Sequence, residues 1–232
     1  LLSTRSEIEA AELLANSFAQ FQWVRNTRNI NSGLIEEVQF RRDVLETTGL
    51  ADGWSLTDIG VPLTKIFNES DLLVTRAISD GIFDGLTPEE LAALVSCFTF
   101  RSRGNERHQR KNRKLENFTT ESIKELLLLN DEIERIEMRF GITPNSPPDS
   151  GFSKVVFDWV SGCTLGEVLT KEFTGGEFVR NVRLSIDLLK QISNVARPET
   201  AKLALQTVEL MERGVVSLSG EFETKTLQEK GL

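Results

Sequence analysis

Histidine is almost missing from this chain: its 232 residues include one, His108. A multi-histidine metal site is thereby excluded, and triad chemistry is left with a single candidate base in a polar, basic run. Cysteine is nearly as scarce. Cys97 and Cys163 sit among apolar or small residues, which reads as buried thiols in a reducing compartment, and no disulfide can be argued from them. No apolar run reaches the roughly 18 residues that a membrane span requires. The chain opens Leu1-Leu2-Ser3 and turns charged at once, so no secretory leader is read there. A cytoplasmic location without a membrane partner is the expectation. No Gly-x-x-x-x-Gly-Lys-Ser/Thr loop occurs, hence no backbone cradle for ATP phosphates. Acid pairs such as Glu89/Glu90 and Asp131/Glu132 fall on helices, where adjacent side chains point apart and make poor acid–base dyads. No catalytic residue and no metal site is assigned to the chain.

Enough apolar material is present for a core: 39% of the residues are hydrophobic, with 14 Phe and 3 Trp. The net charge of −8 argues against a general nucleic-acid binder, because such proteins neutralise phosphate with excess Lys and Arg. Any such contact must be local. One segment breaks the acidic average: Arg101, Arg103, Arg107, Arg110, Lys111, Arg113 and Lys114 crowd together against Glu106 alone. It reads either as a solvated connector or as a basic edge facing phosphate or a partner, with Arg107, Arg110, Lys111 and Arg113 as candidates.

Along the chain, residues 6–25 show helical spacing of Ile8, Leu13, Leu14, Phe18, Phe21 and Val24. A polar joint follows from Asn26 to Gly33. A second helix is expected over about 34–49, ended by Gly49, then a tight turn with short extended flanks over 51–57. Thr57 or Asp58 is expected to cap a further helix to about Phe67. Helix, helix, extended turn and helix outline a winged-helix module over 1–69. From Ser70 the pattern is helical throughout: 71–79, then a helix announced by the capping box Thr87-Pro88-Glu89-Glu90 and nearly all apolar to Phe98. Further helices are read at 119–139, 152–161, 165–171, 175–195 and 198–212, with Pro144 to Pro148 breaking the chain. The expected fold is all-α: a winged-helix remnant with a short β-hairpin, then a helical bundle over 70–232.

One helix sorts its faces cleanly. Thr174-Gly175-Gly176-Glu177 makes a second capping box. Beyond it Phe178, Val182, Ser185, Leu189 and Ile192 form an apolar ridge, flanked by Val179 and Ile186. Arg180, Arg183, Asp187, Lys190 and Asn194 form a polar stripe, in which Arg183 and Asp187 are spaced to pair. The plain reading is a solvated face. The functional one is a row of donors along a channel, since guanidinium groups bind phosphate and stack on bases.

Several stretches resemble the C-terminal, DSHCT region of superkiller-type, exosome-associated DExH-box RNA helicases, in a bacterial branch. The block from Gly81 to Phe98, Gly-Ile-Phe-Asp-Gly-Leu-Thr-Pro-Glu-Glu-Leu-Ala-Ala-Leu-Val-Ser-Cys-Phe, is similar to the family pattern almost position by position. Asp71-Leu72-Leu73-Val74-Thr75, Phe157-Asp158-Trp159-Val160-Ser161-Gly162, Gly175 to Arg180, and Ala201 onward with Arg213-Gly214-Val215-Val216 follow in family order. Ser17 to Gln22 is similar to the family's first winged-helix segment. The arch insertion that follows it in eukaryotic relatives is then reduced or absent between about 23 and 33.

This resemblance implies a non-catalytic accessory domain of an ATP-dependent superfamily 2 helicase acting on RNA or DNA. The RecA-like motor, with its ATP and magnesium, then lies elsewhere in the same polypeptide; neither cofactor belongs to this chain, which also lacks the Asp-Glu-x-His motif. It implies that the 175–195 segment is the ratchet helix beside the departing strand. Arg180 and Arg183 match basic positions and Asp187 an acidic one, while Leu184 stands where many relatives carry arginine. With Lys190 these make the expected nucleic-acid-binding set. Expected partners are the RecA-like domains, single-stranded RNA held weakly, and RNA-decay factors. The competing reading is a helical protein-interaction scaffold without nucleic-acid binding. A winged-helix DNA reader using Arg41 and Arg42 ranks last, because Glu36, Glu37, Asp43 and Glu46 on the same helix repel phosphate.

Overall fold

The structure, a computed structural model, describes residues 32–102, 120–169 and 173–217, with side chains from Glu36 onward. The expected first helix at 6–25, the joint before Ser32, and Arg103 to Lys114 with Arg107, His108, Arg110, Lys111 and Arg113 lie outside the described residues. The described chain is mostly helical with one short hairpin, as the apolar periodicity predicts. Contacts divide it into two compact units, one from residues up to Ile82 with Lys124–Pro147, the other from Phe83–Ile123 with Pro148 onward.

In the first unit, α1 (Ser32–Thr47) ends at Gly49, whose φ of 75° takes the left-handed conformation that closes helices. The hairpin that follows pairs β1 (Ala51–Asp52) with β2 (Ser55–Leu56), Ala51 opposite Leu56. Gly53, at φ 60°, makes the two-residue turn possible, and its N–H donates to Glu46 Oε1 at 2.7 Å. Leu45, Leu50 and Ala51 form a small core with Leu63 and Leu72 against it.

The helix expected from Thr57 to Phe67 is not formed. A turn leads into a single 3-10 stretch, Val61–Lys65, and Ile66 is extended. Thr57 Oγ1 donates to the Gly49 carbonyl at 2.8 Å instead of capping. Gly60 packs so tightly on the Leu50 carbonyl that a Cβ would lie 1.9 Å from its oxygen, and Pro62 supplies no N–H. Tertiary contact with Leu50 overrides the local pattern.

α2 (Asp71–Ser79) and most of α4 (Glu121–Arg139) complete this unit. Arg76 ties α2 to the end of α1, its Nη1 donating to the Thr48 carbonyl at 2.7 Å, while Nη2 meets Asp80 at 3.1 Å. Arg41 pairs with Glu37 at 3.1 Å and Arg42 with Asp43 at 2.5 Å, so two of the acids on α1 that would repel phosphate also occupy its arginines. Two carboxyls in this unit, Asp71 and Glu137, are shifted upward. Burial pushes the Asp71 carboxyl from 3.8 to about 6, against the Leu72 N–H and Arg41. Burial likewise pushes Glu137 from 4.5 to about 7, with Arg41 opposing and the Glu134 and Asp71 carboxylates adding to the rise.

The second unit is built around α3 (Pro88–Thr99). Thr87 accepts from the Glu90 N–H at 3.3 Å, and the Glu90 carboxylate accepts from the Thr87 N–H at 2.9 Å. The expected box is formed, with Pro88 behind it. Leu91 to Phe98 are all buried, on every side of the helix. α5 (Ser153–Val160), α7 (Gly175–Ser193) and α8 (Pro198–Met211) pack around it. The short α6 (Leu165–Val168) follows α5. An aromatic cluster fills the joints: Phe152 stacks on Phe100 at 5.6 Å, Phe173 meets Phe152 edge-on at 5.2 Å, and Trp159 meets Phe178 at 5.1 Å. Arg213 closes the end of α8 over α5. Its guanidinium lies 3.6 Å from the Trp159 ring centroid and donates to the carbonyls of Trp159 and Cys163, while Trp159 Nε1 donates to the Met211 carbonyl at 3.0 Å.

Two predictions follow from this packing. Phe178→Ala removes a fully buried ring and is expected to lower stability by about 3–5 kcal/mol, read by urea denaturation, whereas loss of the Thr174 cap in Thr174→Ala costs about 1 kcal/mol. The second concerns pH. The folded chain holds protons on Asp71 and Glu137 that the unfolded chain has released, so their contribution to stability falls as pH rises from about 4 to about 7. Glu137→Gln is therefore expected to gain on the wild type in melting temperature with rising pH; a constant difference from about pH 5 to about pH 7.5 would contradict the assignment.

Candidate nucleic-acid interface

The polar stripe lies on α7, and α7 is held from its first residue. Thr174 Oγ1 accepts from the Glu177 N–H at 3.2 Å, and Glu177 Oε2 accepts from the Thr174 N–H at 3.0 Å. The inward side buries Phe178, Val182, Ser185, Ile186, Leu188, Leu189 and Ile192, adding Leu188 to the expected ridge and leaving Val179 half-buried. Ser185 is the one polar member, and its hydroxyl is satisfied by Thr99 Oγ1 and the Asn181 carbonyl, both at 3.0 Å. That link fixes the rotation of α7 against α3.

With the ridge held inward, the stripe faces out. Arg180, Asp187, Lys190 and Asn194 are exposed, and Arg183 is half-buried. At 3.6 residues per turn and 1.5 Å per residue, Arg180 to Lys190 occupy an arc of about 80° and a length of about 15 Å. Leu184 lies on the same side, 42% exposed. Asp187 Oδ2 accepts from Gln191 Nε2 at 2.8 Å, and Lys190 Nζ donates to Glu212 Oε1 at 2.7 Å. Glu212 was not singled out by the sequence; it is 22 positions from Lys190 and belongs to no periodic pattern with it.

The remaining chemistry is sparse. Cys97 is buried and its thiol is pushed by that burial up to about 12, so it stays protonated and is no nucleophile. Cys163 is half-buried and free. Among the described residues, no group of three or more His, Cys, Asp or Glu side chains could hold a metal ion, and no helix is long and apolar enough to cross a membrane. On the outer side of α7 the described surface carries the cations Arg180, Arg183 and Lys190 with the anion Asp187 among them.

Known proteins align with most of this chain. It is 30% identical over 201 residues to the probable helicase HelY of Mycobacterium tuberculosis (strain CDC 1551 / Oshkosh), covering 80% of the chain and 21% of that protein. HelY of Mycobacterium leprae is 31% identical over the same shares. The exosome RNA helicase MTR4 of Homo sapiens is 25% identical over 174 residues, 70% of the chain and 16% of that protein. The chain thus spans about a fifth of the length of its mycobacterial relatives. The DSHCT (NUC185) domain matches residues 53–219. That range contains the Gly81–Phe98 block, α3 with its buried run and the whole of α7, and it bears out the resemblance read from those motifs. The chain belongs to the DSHCT (NUC185) domain family.

Proposed function

We propose that this chain is an accessory domain of an ATP-dependent helicase and that the outer face of α7 guides a single nucleic-acid strand. The carrying observation is Arg180, exposed on a helix whose opposite side is locked by its buried ridge. A guanidinium held on a fixed helix can meet phosphate bidentately or lie on a base. Arg183 and Lys190 continue the line, and Leu184, one turn on from Arg180, offers an apolar surface to a base. The names of the relatives support a helicase parent. ATP and magnesium would be handled by RecA-like domains elsewhere in that polypeptide, since these 232 residues contain no phosphate loop. A cytoplasmic setting and contacts with RNA-decay factors belong to the same reading. So does a winged-helix role for the α1–hairpin region.

The strand contact is testable on the chain itself. A short fluorescein-labelled oligouridine, titrated at low salt, is expected to bind weakly and to lose several-fold in affinity in Arg180→Ala/Arg183→Ala. With two phosphate contacts gone, the slope of log affinity against log salt should fall by about 1.4. Equal affinity and equal slope would overturn the stripe assignment and favour a protein-interaction scaffold.

A further inference from the structure

The cation at the far end of the stripe already has an anion. Lys190 Nζ and Glu212 Oε1 lie 2.7 Å apart, with side chains 51% and 45% exposed. Glu212 is the C-cap of α8, where the last carbonyls carry partial negative charge and a carboxylate is disfavoured. Lys190 sits in the last turn of α7, where the helix dipole favours a cation without further help. An ion pair this exposed adds little to stability. The carboxylate is not neutralised from its own side either: the neighbouring Arg213 is committed to the Trp159 ring and to the carbonyls of Trp159 and Cys163. Neither helix gains from an acid at this position, while the stripe meets it directly.

We propose that Glu212 is a built-in competitor for the phosphodiester at Lys190, so that a strand on α7 must displace a carboxylate at that end. This rests on the reading of α7 as a single-strand surface. The ammonium has three donors, and the direction it gives to Glu212 is lost to a phosphate until the pair opens. Asp187, one turn earlier, adds negative charge beside the same position. The stripe is therefore graded: a strand is gripped at the Arg180 end and held loosely at the Lys190 end, which suits a surface along which a strand slides.

Glu212→Gln tests this, since it keeps the side-chain shape and removes the charge. Affinity of the full chain for labelled oligouridine is expected to rise about two- to fivefold at low salt, and the salt slope to steepen by about 0.7, one further phosphate contact. In a Lys190→Ala background the same substitution is expected to change nothing. An equal gain with and without Lys190 would reduce Glu212 to bulk repulsion and overturn the proposal. So would no gain at all where Arg180→Ala/Arg183→Ala still weakens binding, an outcome that leaves the single-strand reading standing. Failure of wild type and every variant to bind would remove both.

Discussion

A helix that buries eight consecutive residues has no side left for water, and in the second unit every other element answers to that condition. From Leu91 to Phe98, α3 must be enclosed, and α5, α7 and α8 enclose it. Its ends leave backbone groups that have no partner within the helix. At the N-terminus the Thr87–Glu90 box and Pro88 take care of donors. At the C-terminus Arg101 Nη1 reaches the carbonyls of Cys97, Phe98 and Phe100, at 3.4, 3.2 and 2.8 Å. Asp149 extends the arrangement: its N–H donates to the Cys97 carbonyl, and its carboxylate accepts from Ser102 and Gly151.

Enclosure also determines what the outer helices can present. α7 turns its apolar ridge toward the enclosed core, and the hydrogen bond of Ser185 with Thr99 joins it to α3 in that orientation. The stripe from Arg180 to Lys190 is what remains on the far side. The candidate interface is thus a by-product of core packing: the enclosure of α3 decides which side of α7 faces out, and helix geometry spaces its charged groups. Arg213 contributes at the other end by joining the ends of α5 and α8, which brings Glu212 to rest beside Lys190.

The first unit shows the opposite balance. Its hairpin and the 3-10 stretch after it are short, and there local signals are weaker than single tertiary contacts. The hairpin was legible because Gly53 sits where a two-residue turn needs a positive φ. The lack of a helix after Thr57 was not, because nothing in the linear pattern announces that Gly60 will press on the Leu50 carbonyl. The raised carboxyls of Asp71 and Glu137 were equally silent, since burial and the proximity of residues far apart in the chain cause them.

Helix caps and helical faces could be read from residues alone because both are governed by neighbours within four positions: Thr87 with Glu90, Thr174 with Glu177, Phe178 with Val182. The all-apolar stretch after Pro88 likewise dictated a buried helix, and the spacing of Arg180, Arg183, Asp187 and Lys190 dictated one exposed stripe. Which cation on that stripe meets an acid was left to the tertiary structure. Lys190 finds Glu212 only after two helices pack side by side and one ends beside the other. Periodicity acts over a turn of helix; a charge pair between helices depends on where the core lets each helix stop.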